Sequence, residues 1–276
     1  MQRYIHKNSL QYFAFNIWSI ESAKAVIDGA SVLNRDVILQ TSMRAYELLD
    51  KEELRAFVNS YATKNNIHAY LHLDHCKRMD FIEEAIACGW DSVMIDASEQ
   101  PLEENIRLTN EVGKIARNND VLVEAEVGQI AGQEDEMSVT EAGIAKIEDV
   151  KTFMENTTVD MLAVAVGTAH GLYKGTPKIH YDLIDQVIKL SDIPLVIHGG
   201  TGLAEETFIH LLAYKNIKKI NISTDVKLAY RQGIQESMQS GYLEKERFDP
   251  IRVSEKIHNA IQDMTVKKIE LLGKEK

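Results

Sequence analysis

The sequence predicts an α/β chain closed into a (β/α)8 TIM barrel with an additional C-terminal helix. Three observations predict it. Short β-rich apolar runs recur eight times, and a helical pattern follows each, which implies parallel pairing through helical crossovers. The 276 residues match the length of one such barrel, roughly 250. The 4 Pro and 15 Gly are spread singly, with no linker or charge block, so residues 1–276 read as a single domain.

The elements follow in order. Strand Phe13–Asn16 leads to the amphipathic segment Ala23–Leu33, whose apolar residues recur at three-and-four spacing. Val37–Gln40 leads to Leu54–Lys64, His68–Leu73 to Phe81–Ala87, and Ser92–Ile95 to Leu102–Arg117. Val121–Val127 leads to Val150–Met154, Met161–Val166 to Leu183–Leu190, and Leu195–His198 to Glu205–Ala213. Ile220–Ile222 leads to Val226–Gln239, and Ser254–Leu272 is the extra helix, placed to pack on the barrel or on another subunit. An open doubly wound sheet is the alternative. The absence of G-x-G-x-x-G after the first strand weakens its dinucleotide-binding version.

Composition excludes several classes. With 31 Lys plus Arg against 42 Asp plus Glu, the net charge of −11 disfavours binding to nucleic acid. No apolar run approaches the ~18 residues of a membrane span, and the N-terminus is too polar for a signal peptide. A cytoplasmic location is expected, with Cys76 and Cys88 as free thiols.

In a parallel barrel the chemistry collects at the C-terminal ends of the strands. Six successive strands end in polar groups here, and three deliver a histidine: His75, His170 and His198. Three neutral imidazoles at one rim suit a divalent metal, most naturally Zn²⁺ with an open position. His72 precedes its strand end and reads as a partner behind the ligands. Gly199-Gly200-Thr201-Gly202 follows a strand and precedes a helix, so glycine amides, a hydroxyl and a helix start can cradle an anion; Asn221 to Thr224 add donors. Asp74 either orients His75 or transfers a proton to a substrate oxygen. Gln133-Glu134-Asp135-Glu136 reads as a polar loop, either a solvated charge run or a lid that carries a carboxylate.

Together these residues resemble the class II, metal-dependent fructose-bisphosphate and tagatose-bisphosphate aldolase family. The distinctive pieces are His72-Leu-Asp74-His75, Ser92-Val-Met-Ile-Asp96-Ala-Ser98, Glu124-Ala-Glu126-Val-Gly128 and Gly132-Gln-Glu134-Asp135. They continue with His170-Gly171-Leu-Tyr173-Lys174-Gly175, His198-Gly-Gly-Thr201-Gly202 and Asn221-Ile-Ser-Thr224. The resemblance implies one Zn²⁺ on His75, His170 and His198, with Asp96 and Glu126 near a second or transient metal position. It implies Asp74 as acid/base on the hydroxyl of the breaking bond and Glu134 as the group exchanging the carbon proton. Gly171, Gly199, Gly200, Thr201, Asn221, Ser223 and Thr224 match a dihydroxyacetone phosphate cradle. Lys174 and Gly171 match a region that binds a monovalent cation, Na⁺ or K⁺. Asn16, Gln40 and Ser42 match the wall facing the other half of the substrate. The expected reaction is reversible cleavage of a ketose phosphate or bisphosphate by a homodimer or homotetramer.

The sequence departs from the family at three places. Cys76 stands where members commonly have glycine, and Ser223 where the fructose-bisphosphate enzymes tend to have aspartate. Arg252 lies one residue beyond the position, directly after Pro250, where family members place the arginine that serves the far phosphate. A divergent aldolase of another keto sugar, a barrel metallohydrolase using the same histidines, and a non-catalytic sugar-phosphate sensor are the competing readings. With a metal to spread the developing charge, a Schiff-base lysine is not required; Lys174 and Lys227 would be the candidates, and neither lies on a core strand.

Overall fold

The computed structural model describes residues 5, 10–134, 137–139, 143–173 and 175–274. Eight parallel strands close into a barrel. They are β1 (Tyr12–Asn16), β2 (Val37–Thr41), β3 (Ala69–Cys76), β4 (Ser92–Ile95), β5 (Leu122–Val127), β8 (Met161–Val164), β10 (Leu195–Ile197) and β11 (Ile217–Ile222). Around the ring β1 pairs with both β2 and β11, so the sheet has no edge among these strands. The expected (β/α)8 barrel and its C-terminal helix are both present.

Helices α1 (Ile20–Val32), α3 (Lys51–Lys64), α4 (Met79–Ala87), α5 (Leu102–Arg117), α6 (Ile147–Asn156), α7 (Tyr181–Leu190), α8 (Glu205–Leu212) and α9 (Thr224–Gln239) form the crossovers and the outer layer. Ser19 caps α1 in a capping box, and Asp50 caps α3 by accepting from the Glu53 amide. The C-terminal helix α10 (Pro250–Ile269) starts where Asp249 accepts from the Ile251 and Arg252 amides. It buries Ala260, Ile261, Thr265 and Ile269.

Two features were not expected. A short helix, α2 (Met43–Leu48), stands between β2 and α3. At six residues it is too short to show helical periodicity. The segment read as a polar loop instead carries β6 (Ala131–Glu134) and β7 (Met137–Val139), antiparallel to each other. β6 also pairs with β9 (Ala169–His170). Gln133 and Glu134 therefore belong to a small three-stranded sheet, and Asp135 and Glu136 lie outside the described residues.

The lumen is layered because alternate residues of each strand point inward. Its floor is apolar: Ile5, Tyr12, Ile38, Leu122, Met161 and Val196 form one buried cluster. The next inward positions are His72, Ser92, Glu124 and Lys219, all fully buried. The layer above holds Asn16, Gln40, Asp74, Glu126 and Asn221, also buried. Polarity thus rises toward the C-terminal ends, and the apolar floor seals the other end.

Candidate active site

β3 runs three residues further than its apolar pattern suggests, to Cys76, and a register shift opens between Leu73 and Cys76 against β4. His75 sits in that bulge with φ +47, a left-handed conformation costing a non-glycine residue about 1–3 kcal/mol. The bulge turns the imidazole toward the mouth instead of the helix layer. His170 comes from β9, held in register by Gly132 of β6. Gly132 has φ +110, and a Cβ there would lie 2.2 Å from the His170 carbonyl oxygen, so only glycine allows this pairing. His198 follows β10 directly.

The three rings converge. Centroid separations are 4.5 Å for His75–His198, 4.9 Å for His75–His170 and 5.9 Å for His170–His198. One nitrogen of each lies within 4.8 Å of the others. His75 Nε2 and His198 Nδ1 face each other at 2.7 Å. Their outer nitrogens are fixed by carboxylates: His75 Nδ1 donates to Asp96 Oδ2 at 2.8 Å, and His198 Nε2 donates to Glu124 Oε1 at 2.8 Å. Outer nitrogens held by acids and inner nitrogens aimed at one point are the arrangement of metal-ligating histidines.

The electrostatics favour positive charge at that point. Burial opposes protonation of His75, yet Asp74, Asp96 and Glu126 hold its pKa well above the usual imidazole value. Burial, and then the His75 charge, push His198 down to about 4. Burial and the Asp96 charge push Glu126 up to about 8. Glu124 goes the other way: burial would raise it, but Lys219 and His198 hold it at about 2. The local acids Asp74, Asp96, Glu124 and Glu126 outnumber the single lysine. A divalent cation at the histidines fits both the donor set and the charge.

Asp74 is the carboxylate between the two sides of the mouth. Its Oδ2 accepts from Gln40 Nε2 at 2.8 Å, and its Oδ1 accepts from Asn221 Nδ2 at 3.3 Å. Gln40 also donates to Asn16 Oδ1 at 2.7 Å. Burial would raise the Asp74 pKa, but His75, His72 and Lys219 hold it well below the ordinary carboxylate range. Asp74 is therefore charged.

The glycine turn after β10 is shaped by close contacts. Gly199 has φ +71, and a Cβ there would lie 2.3 Å from the Ala169 carbonyl oxygen. Tyr173 Oη donates to the Gly199 carbonyl at 2.7 Å and accepts from the Ala169 amide at 3.0 Å, tying the turn to β9. The Gly200 amide donates to the Asn221 carbonyl at 3.0 Å, so this glycine braces β10 against β11. Thr201 Oγ1 accepts from the Asp225 amide at 3.1 Å. Asp225 pairs with Lys268 of α10 at 2.7 Å. The buried Ser223 Oγ and Asn221 Oδ1 have no hydrogen-bond partner among the described residues, as expected of groups awaiting a polar ligand.

Other expected residues fall as follows. Ser42 caps α2 at the mouth, accepting from the Ala45 amide at 3.4 Å. Gly171 follows β9 with φ +84, and Thr224 opens α9. Asp96 orients His75, and Ser98 donates to it. Glu126 Oε2 lies 4.0 Å from His198 Nδ1, and its Oε1 accepts from the Ile130 amide at 3.3 Å. Glu134 is carried on β6, next to the strand bearing His170. Lys174, Asp135 and Glu136 lie outside the described residues. Arg252 is exposed in the first turn of α10, where its guanidinium pairs with Glu255 at 3.8 Å.

The structure adds a buried group that sequence reasoning missed. Lys219 Nζ donates to Glu124 Oε2 at 2.9 Å, with both side chains fully buried. His72 Nδ1 bonds Ser92 Oγ at 2.8 Å, and its Nε2 lies 3.6 Å from Glu124 and 3.7 Å from Asp74. A lysine does lie on a core strand, then, with its amino group engaged by Glu124.

A buried histidine trio able to hold a metal ion stands beside a charged acid and a tight glycine turn at the C-terminal mouth of a β/α barrel, an arrangement suited to an enzyme. The class II fructose-bisphosphate aldolase family matches residues 1–276, and the chain belongs to that family. It is an aldolase, a lyase of carbon–carbon bonds. The YdjI aldolase from Escherichia coli K12 is 26% identical, with 97% of this chain and 93% of that chain covered at a TM-score of 0.80. Two further solved structures share the fold. A Coccidioides immitis protein provisionally described as a fructose-1,6-biphosphate aldolase has 24% identity, 98% and 93% coverage and a TM-score of 0.85. The fructose-bisphosphate aldolase of Campylobacter jejuni has 22% identity, 98% and 92% coverage and a TM-score of 0.76. Among the described residues no helix is long and apolar enough to cross a membrane.

Proposed function

We propose that the protein reversibly cleaves a ketose 1-phosphate or 1,6-bisphosphate of the fructose or tagatose type into dihydroxyacetone phosphate and an aldehyde. The observation that carries this reading is the facing pair His75 Nε2 and His198 Nδ1, 2.7 Å apart, whose outer nitrogens are both taken by carboxylates. His75, His170 and His198 would hold Zn²⁺, which supplies Lewis-acid polarisation of the substrate's carbonyl and hydroxyl oxygens.

The protein's own groups do the rest. The turn at Gly199–Thr201, with Asn221, Ser223 and Thr224, holds the phosphate of the three-carbon ketone half. Asp74 takes the proton of the hydroxyl on the carbon beyond the breaking bond. As the C–C bond opens, that hydroxyl carbon becomes the aldehyde, and the bonding pair passes toward the neighbouring ketone. Glu134 returns a proton to the carbon, completing dihydroxyacetone phosphate. Reading the reaction backwards gives the aldol condensation. Asp96 and Glu124 keep two of the imidazoles aimed inward throughout. The free thiols Cys76 and Cys88 fit a cytoplasmic setting.

The test is metal analysis with kinetics. The purified protein should contain about one Zn²⁺ per chain, lose ketose-phosphate cleavage on chelation, and regain it on Zn²⁺ addition. His198→Ala should lose metal and activity together. Full activity in the chelated protein would sink the reading.

A further inference from the structure

The turn after β10 is tied to the last helix of the chain through Asp225. Thr201 Oγ1 accepts from the Asp225 amide at 3.1 Å, which leaves the hydroxyl proton to donate to a ligand oxygen. Asp225 stands in the first turn of α9, directly after Ser223 and Thr224. Free amides and the helix dipole favour an anionic ligand at a helix start. A carboxylate in the same turn competes for that field and repels such a ligand. Asp225 carries a carboxylate there that no step of the reaction uses.

Its partner is Lys268, in the last turn of α10. Lys268 Nζ lies 2.7 Å from Asp225 Oδ2, and the two side chains are only 16% and 18% exposed, so solvent screens this pair less than a surface one. The ammonium also sits 4.7 Å from the centre of the Phe208 ring of α8. Asp225, Phe208 and Lys268 line one cleft of about 440 Å³ between α8, α9 and α10. Glu205, another acid of that cleft, is taken by Lys274 at 2.7 Å. The helix bearing Lys268 is seated directly on two backbones. A Cβ on Gly233 of α9 would lie 2.4 Å from Ile257 Cα, and one on Gly29 of α1 would lie 2.7 Å from Thr265 Cβ.

We propose that Lys268 is a positioning residue for the substrate's phosphate: it holds the Asp225 carboxylate among the outer helices and cancels its charge, leaving the start of α9 to the ligand. This rests on the aldolase reading above, in which Thr201, Ser223 and Thr224 hold that phosphate. Lys268 touches neither substrate nor metal. Without its ammonium, Asp225 becomes an uncompensated anion one residue from the cradle. Without the carboxylate as well, nothing is left to cancel.

The experiment titrates dihydroxyacetone phosphate calorimetrically into the Zn²⁺-loaded enzyme and follows, in parallel, its condensation with an aldehyde the wild type accepts. Lys268→Met should weaken Kd and raise KM for dihydroxyacetone phosphate by about tenfold, with kcat and Zn²⁺ content unchanged. Lys268→Arg keeps the charge and should bind as the wild type does. Adding Asp225→Asn to Lys268→Met should return Kd to within about threefold of the wild type, whereas a purely structural ion pair predicts no recovery when both halves are gone. Asp225→Asn alone, which stays informative if Lys268→Met does not fold, should bind no more weakly than the wild type. An unchanged Kd in Lys268→Met, a loss that persists in the double variant, or weaker binding by Asp225→Asn alone overturns the proposal and leaves the aldolase reading standing. No binding of dihydroxyacetone phosphate by the wild type overturns both.

Discussion

On the β10–β11 side of Asp74 the site is built from backbone turns and short buried side chains. On the β1–β2 side it is built from longer groups open to solvent. Gly199, Gly200, Thr201, Asn221 and Ser223 are all buried, and their positions follow from strand register and a left-handed turn. Around the cleft onto which Asn16 opens there, Arg44 and Tyr230 are exposed, and Trp18, Ser42 and Lys227 half-buried. Gly199 in the first wall cannot change without moving β9, which brings His170. The second can change residue by residue. A reaction that keeps one product and varies the other is suited to that division.

The comparison can be broken first at its centre. Asp74→Ala should retain metal but lower kcat by about 10²–10⁴-fold, the usual span of a positioned acid/base. Parallel metal analysis and cleavage kinetics check this, and loss of metal would make Asp74 structural. Next comes the backbone wall. Gly199→Ala puts a Cβ 2.3 Å from the Ala169 carbonyl oxygen at φ +71, so it should cost about 1–3 kcal/mol of stability. It should also depress kcat/KM for every aldehyde alike, read by thermal unfolding and by a panel of aldehydes. The smallest effect sharpens the contrast. Thr201→Val removes the acceptor of the Asp225 amide, about 0.5–1.5 kcal/mol, and should raise KM for dihydroxyacetone phosphate without altering the order of aldehyde preference.

The barrel was legible because its signal is local and repeated. Ser92–Ile95 and Leu102–Arg117 carry their period in their own residues, and their bounds agree with the structure. The histidines were legible because each follows an apolar run. The pairing of Glu124 with Lys219 was hidden, because the eighth strand reads as beginning at Ile220 and so leaves Lys219 off it. Both side chains in fact line the closed lumen, and the partners are 95 residues apart. The bulge at His75 was hidden for a related reason: a register shift against β4 belongs to two strands and leaves no mark in either. The β6–β7 pair escaped because its strands are only four and three residues long, and what else pairs with β6 is a two-residue strand. The helix α2 escaped because it is shorter than two helical turns.

That same small helix has a consequence for how such an enzyme diversifies. Tyr46 is its anchor, sunk between Phe81 and Trp90 at ring distances of 5.1 Å each, while Arg44 and Leu48 look outward from the same six residues. With one aromatic root in place, the remaining positions form an exchangeable cassette. Grafting a different hexapeptide around Tyr46 should leave the histidine trio, carried by the barrel strands and β9, in place.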